Sequence, residues 1–80
     1  MDLKDGILAA ETAALEALVD AFAARMKAKL RRKAFDGHRG WADPACVPAI
    51  REALRRHADK GDPVDVANFA AMLWNHREPT

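Results

Sequence analysis

Lys60-Gly-Asp-Pro-Val-Asp-Val-Ala-Asn-Phe-Ala-Ala-Met-Leu-Trp-Asn-His76 decides how the rest of the chain reads. Gly61 is a residue that ends a helix, because it enters the left-handed region without a Cβ penalty. Asp62 is an N-cap, Pro63 suits the first helical position, and Asp65 three residues after the cap makes an acidic, capping-box-like first turn. Val66, Phe69, Ala70 and Leu73 then share an apolar face. One helix therefore ends and the next begins within two residues, so the pair forms an antiparallel hairpin.

Upstream, Val47, Ile50, Leu54 and Ala58 set the buried face of the first hairpin helix, expected over about 46–59. It starts between Pro44 and Pro48, since proline is tolerated in a first turn. The second hairpin helix is expected over about 63–76. The stretch 35–46 reads as a loop, dense in glycine and proline. Its one large apolar residue, Trp41, is expected to pin it to the core.

From about residue 3 to 34, Leu8, Leu15, Leu18, Phe22 and Met26 recur at helical spacing, and no proline interrupts them. Beyond Met26 the stripe gives way to Lys29 and Lys33, so the last turns are expected to project beyond the core. Glu11 falls within the stripe. Either the first two turns overhang the core or Glu11 pairs with a base across an interface. Nothing alternates with period two. The fold expected is all-α, a single domain over 1–80: a three-helix bundle whose long N-terminal helix packs across the antiparallel hairpin.

Composition constrains that bundle. Of the 80 residues 50% are hydrophobic, but 18 are alanine, which favours helix and buries little area. So thin a core is marginal for a lone monomer, which leaves monomer and homodimer both open. The one cysteine, Cys46, excludes an intrachain disulfide and suits a reducing cytoplasmic compartment. No stretch approaches a membrane span, and the acidic N-terminus lacks the basic region of a signal peptide.

The net charge of +1 hides a dipole. Residues 1–20 hold five acids and Lys4, a net of −4, whereas residues 25–39 hold seven bases and Asp36, a net of +6. The bases Arg25, Lys27, Lys29, Arg31, Arg32, Lys33 and Arg39 are either a solvated helix end that complements the dipole or a contact surface for nucleic acid or an acidic protein. Arg51, Arg55 and Arg56 lie outside the apolar face of their helix. Trp74 lies off the centre of its own, as a packing residue or as an exposed anchor for a partner.

The segments Arg25–Leu30 (RMKAKL), Arg39–Trp41 (RGW) and Gly61–Leu73 (GDPVDVANFAAML) resemble small phage proteins related to the MazG-like, all-α nucleoside triphosphate pyrophosphohydrolases. The likeness covers roughly residues 22–75. In that family two helices carry paired acidic motifs, ExxE and ExxD, which hold magnesium against the triphosphate. The resemblance sets Asp62 and Asp65 at the second motif, with aspartate for glutamate. At the first, Arg55, Arg56 and His57 stand where carboxylates belong, with Glu52 and Asp59 beside them. One acid pair does not build a magnesium cluster. The alternatives for Asp62 and Asp65 are therefore helix capping or residual metal binding. His38, His57, His76 and Cys46 match no zinc spacing.

The expected function is that of a small non-enzymatic binding protein of phage or mobile-element type. It would carry no cofactor and occupy a surface of a larger protein or ribonucleoprotein complex. An anti-CRISPR inhibitor blocking nucleic-acid access is the analogy by class. Expected contact residues are Arg25, Lys29, Arg31, Arg32, Lys33, Arg39, Arg51, Arg55, Arg56 and Trp74. The alternatives are a MazG-like nucleotide-binding or pyrophosphohydrolase relative using magnesium at Asp62 and Asp65, and a direct nucleic-acid-binding protein.

Overall fold

The computed structural model describes residues 2–80. Three α-helices account for most of them: α1 over Leu3–Phe35, α2 over Val47–Lys60 and α3 over Pro63–Asn75, with a 3₁₀ turn at Pro44–Cys46 ahead of α2. There is no strand among the described residues. No helix is long and apolar enough to cross a membrane.

Each helix end follows from local chemistry. Asp2 caps α1 by accepting from the Lys4 N–H. The last turn of α1 carries Arg32 and Lys33 against the negative end of the dipole. It closes through Gly37, whose N–H donates to Ala34 O while the His38 N–H donates to Lys33 O. Asp43 caps the 3₁₀ turn through the Ala45 N–H at 2.9 Å. Gly61, at φ 75°, ends α2: its N–H donates to Ala58 O and the Asp62 N–H to His57 O. Asp62 then accepts from the Asp65 N–H at 3.2 Å and starts α3. Capping at both sides of this two-residue connection folds α2 back on α3.

The apolar centre is small. Leu73 is fully buried and Ile50 nearly so, with Phe22, Met26, Leu54, Val66, Phe69 and Met72 half-buried around them. Ala58, expected inside, is exposed. His57, the residue before it, takes the place against α3, beside Asp65 and Phe69.

α1 lies along α3 and runs antiparallel to it: Lys29 meets the first turn of α3, and Asn68, further along α3, donates to Met26 O. The backbones of α1 and α2 do not approach each other, so the long helix meets the hairpin through α3. Of the two ends of α1 expected to project, the N-terminal one does, and the turns after Met26 are docked as far as Lys33. The C-terminal half of α1 docks, with Lys29 and Lys33 half-buried, and residues 7–21 are all exposed. The reason is electrostatic and geometric. Lys29 breaks the apolar stripe but finds carboxylates on α3, and α3, 13 residues long, ends far short of the 33 residues of α1. Glu11 is accordingly solvated, and the overhang extends well past the first two turns.

Trp41 holds the loop to the C-terminus of α3 instead of to the core. Its ring meets His76 edge-on at 6.0 Å, and its carbonyl oxygen lies 2.7 Å from His76 Nε2, while the side chain stays 42% exposed. The Cys46 thiol donates to Gly40 O across the same loop.

Candidate functional site

The titratable groups converge where the three helices meet. The capping geometry of α3 sets Asp62 and Asp65 one turn apart, facing α1. Lys29 Nζ reaches both, at 3.2 Å from Asp62 Oδ2 and 2.8 Å from Asp65 Oδ2. From α2, His57 Nε2 lies 3.4 Å from the same Asp65 oxygen. Its Nδ1 is 2.7 Å from Ala53 O, which can only accept, so Nδ1 carries a proton. Phe69 lies against the imidazole with ring centres 5.1 Å apart.

Asp65 is 6% exposed, and such a carboxylate is stable only with partners. The Lys29 ammonium supplies the charge and His57 the flank. Hydrogen bonding with the Asp65 side chain, then the Asp65 N–H, then the Lys29 ammonium lower the Asp62 carboxyl to about 2. The pKa of Lys29 is raised, by its hydrogen bond to Asp65 first and by that to Asp62 second, against an opposing desolvation effect.

Next to this cluster lies Asn68, 4% exposed. Its amide nitrogen donates to Met26 O at 3.3 Å, and its Oδ1 has no hydrogen-bond partner among the described residues. Asn68 is the member that the sequence reading passed over, and His57 entered it only in place of a carboxylate at the first acidic motif and among the histidines that match no zinc spacing. The signal for the cluster was Lys29 itself, a charge within an apolar helical stripe, which demands an internal counter-charge.

As chemistry, the arrangement is an ion-paired clamp. The Lys29 ammonium fills the space between the two carboxylates that a bridging cation would need. Among the described residues, no group of three histidine, cysteine, aspartate or glutamate side chains could hold a metal. Capping by Asp62 is thus observed directly, and Asp65 serves as the counter-ion that docks α1.

The expected contact residues fall into two groups. Arg25, Arg31, Arg39 and Arg56 are exposed. Trp74, 80% exposed, stands on the solvent side of α3 near Ala67 and Ala71. The others, apart from Lys33, have internal partners, although Arg32 and Arg55 are exposed as well. Lys29 is held as described, and Arg32 pairs with Asp36 at 3.4 Å. Arg51 binds Glu78 Oε2 at 3.1 Å and Pro79 O at 3.3 Å, and Arg55 reaches Thr80 O at 3.5 Å. Arg51 and Arg55 therefore hold the C-terminal residues against α2. Lys33 is half-buried.

No protein-family model matches the chain. Neither the curated proteins nor the solved structures contain a match to it.

Proposed function

We propose that this chain is a non-enzymatic binding protein that acts by occupying a surface of a larger protein or ribonucleoprotein complex. The observation that carries this reading is Trp74. A tryptophan 80% exposed on a helix face lined with alanine contributes nothing to the core, and tryptophan and arginine are the side chains that most often anchor an interface. The exposed guanidinium groups of Arg25, Arg31, Arg39 and Arg56 supply the charge for an anionic partner. Closure of the acid pair by Lys29 supports the absence of metal chemistry from this reading. An inhibitor of the anti-CRISPR kind, from a phage or mobile element, is the type of protein described.

The test is capture from the native host, wild type against Trp74→Ala, beside a triphosphate hydrolysis assay with Mg²⁺ and Mn²⁺. The expected result is a partner retained by the wild type and lost with Trp74→Ala, and no turnover. Turnover abolished by Asp65→Ala would overturn the reading. It would favour the rival, a MazG-like pyrophosphohydrolase relative, whose support is the side-by-side placement of Asp62 and Asp65. A gel shift with a steep salt dependence, retained by purified protein, would favour direct nucleic-acid binding.

A further inference from the structure

His57 has an acceptor in front of each ring nitrogen. Nδ1 lies 2.7 Å from Ala53 O, and Nε2 lies 3.4 Å from Asp65 Oδ2. A backbone carbonyl and an ionised carboxylate can only accept, whereas a neutral imidazole carries a single N–H. The shorter contact takes that proton, so in the neutral ring the lone pair of Nε2 faces a carboxylate oxygen. Only the imidazolium, with an N–H on both nitrogens, suits both neighbours. His76 is the contrast within the same chain. Its one such contact, from Nε2 to Trp41 O at 2.7 Å, is satisfied by one proton.

The charges around the ring agree. Facing it are Asp65 on α3, with Asp62 one turn away, and Lys29 on α1, which holds both carboxylates. Among the described residues, α2 adds no other ion pair to this group. One cation against two anions leaves a surplus negative charge beside a buried carboxylate that water does little to stabilise. A second cation on His57 cancels it. The His57 side chain is itself only 14% exposed and lies against Phe69, so its Nε2 meets Asp65 in place of solvent.

We propose that His57 is a proton-operated brace: with a second proton it ties α2 to the Asp65 carboxylate of α3, the group that Lys29 already ties to α1. The backbones of α1 and α2 do not approach each other, and this carboxylate is where ionic contacts from both helices converge. The brace holds while the imidazolium persists and is lost as pH rises through the histidine range, between about pH 5 and 8. Protonation of Asp62, whose pKa is lowered to about 2, falls well below that window. The brace lies where the three helices meet, apart from Trp74 and the exposed arginines, so it stands whether or not the partner reading does.

Two measurements on the full chain test it. In NMR spectra of the histidine rings, His57 is expected as the Nδ1–H form at about pH 8, with Nε2 protonated as well by about pH 5.5. Urea midpoints of the wild type, followed by circular dichroism, are expected to be higher at about pH 5.5 than at about pH 8. That rise is expected to vanish in His57→Gln, which cannot become a cation, and to persist in His76→Gln. Asp65→Asn, which keeps the shape and removes the charge, is expected to abolish it too, and gives a second route should His57→Gln fold poorly. An Nε2–H form at the higher pH, equal midpoints at the two pH values, a rise that His57→Gln or Asp65→Asn leaves intact, or one that His76→Gln removes would each overturn the proposal.

Discussion

The Lys29 ammonium sits 2.8 Å from the buried Asp65 carboxylate and ties α1 to α3. Loss of the ammonium leaves a buried carboxylate without its charge partner, which costs more than the pair itself contributes. Lys29→Met is therefore expected to lower the melting temperature by several degrees, more than Asp65→Asn does. Combining the two substitutions should be less damaging than the sum of the single effects. Thermal unfolding of the three variants by circular dichroism measures this. Strict additivity would show that the two groups are not coupled.

The same clamp sets the pH range of the fold. Asp62 has its pKa lowered to about 2 from 3.8, so its contribution is present above about pH 4 and is lost as pH falls towards 2. Lys29 has its pKa raised above 10.5, so its contribution is present below that value and is lost as pH rises through the shifted one. Stability should be flat in between as far as these two groups are concerned, with an acid limb that Asp62→Asn reduces. Denaturant melts across pH, followed by tryptophan fluorescence, read the two limbs. An unchanged acid limb in Asp62→Asn would assign it to other carboxylates.

Asn68 gives a sharper test of burial. Its amide donates to Met26 O, and its oxygen is left over. Asn68→Asp turns that donor into a second negative charge beside Asp65 and a carbonyl, and is expected to cost about 3 kcal/mol or more, in line with a buried unpaired charge. Asn68→Leu removes the orphaned oxygen together with the donor and is expected to fall within about 1 kcal/mol of wild type. Urea midpoints at neutral pH compare the two.

Arg77 closes α3 at φ 59°, the described residue other than glycine with a positive φ. Its N–H donates to Trp74 O and the Glu78 N–H to Leu73 O, the bonding that glycine usually supports at a helix end. Arg77→Gly is expected to raise stability by up to about 1 kcal/mol, since the left-handed conformation costs a residue with a Cβ roughly that much. Arg77→Val should lower it. Paired thermal melts decide the sign.

Leu73 is the largest fully buried side chain, in a core with almost nothing else so enclosed. Leu73→Ala is expected to cost about 3 kcal/mol, the middle of the range for such truncations. In so thin a core, that loss is expected to leave much of the chain unfolded at room temperature, visible as lost helix signal.

The sequence alone determined the helices and their ends. Gly61, Asp62, Pro63 and Asp65 act on backbone groups within a few residues, so their meaning does not depend on what lies elsewhere, and the α2–α3 hairpin followed from them. The all-α character was legible for the same reason, in the spacing of Leu15, Phe22, Leu54 and Leu73. The tertiary structure decided which half of α1 is covered. Leu8 and Leu15 carry the same periodicity as Phe22 and Met26, and spacing records only which face is apolar, not whether a neighbour reaches it. It also decided that Lys29 is an internal counter-ion and not a free surface base. That depends on the length and direction of α3, which bring Asp62 and Asp65 to a lysine more than thirty residues away.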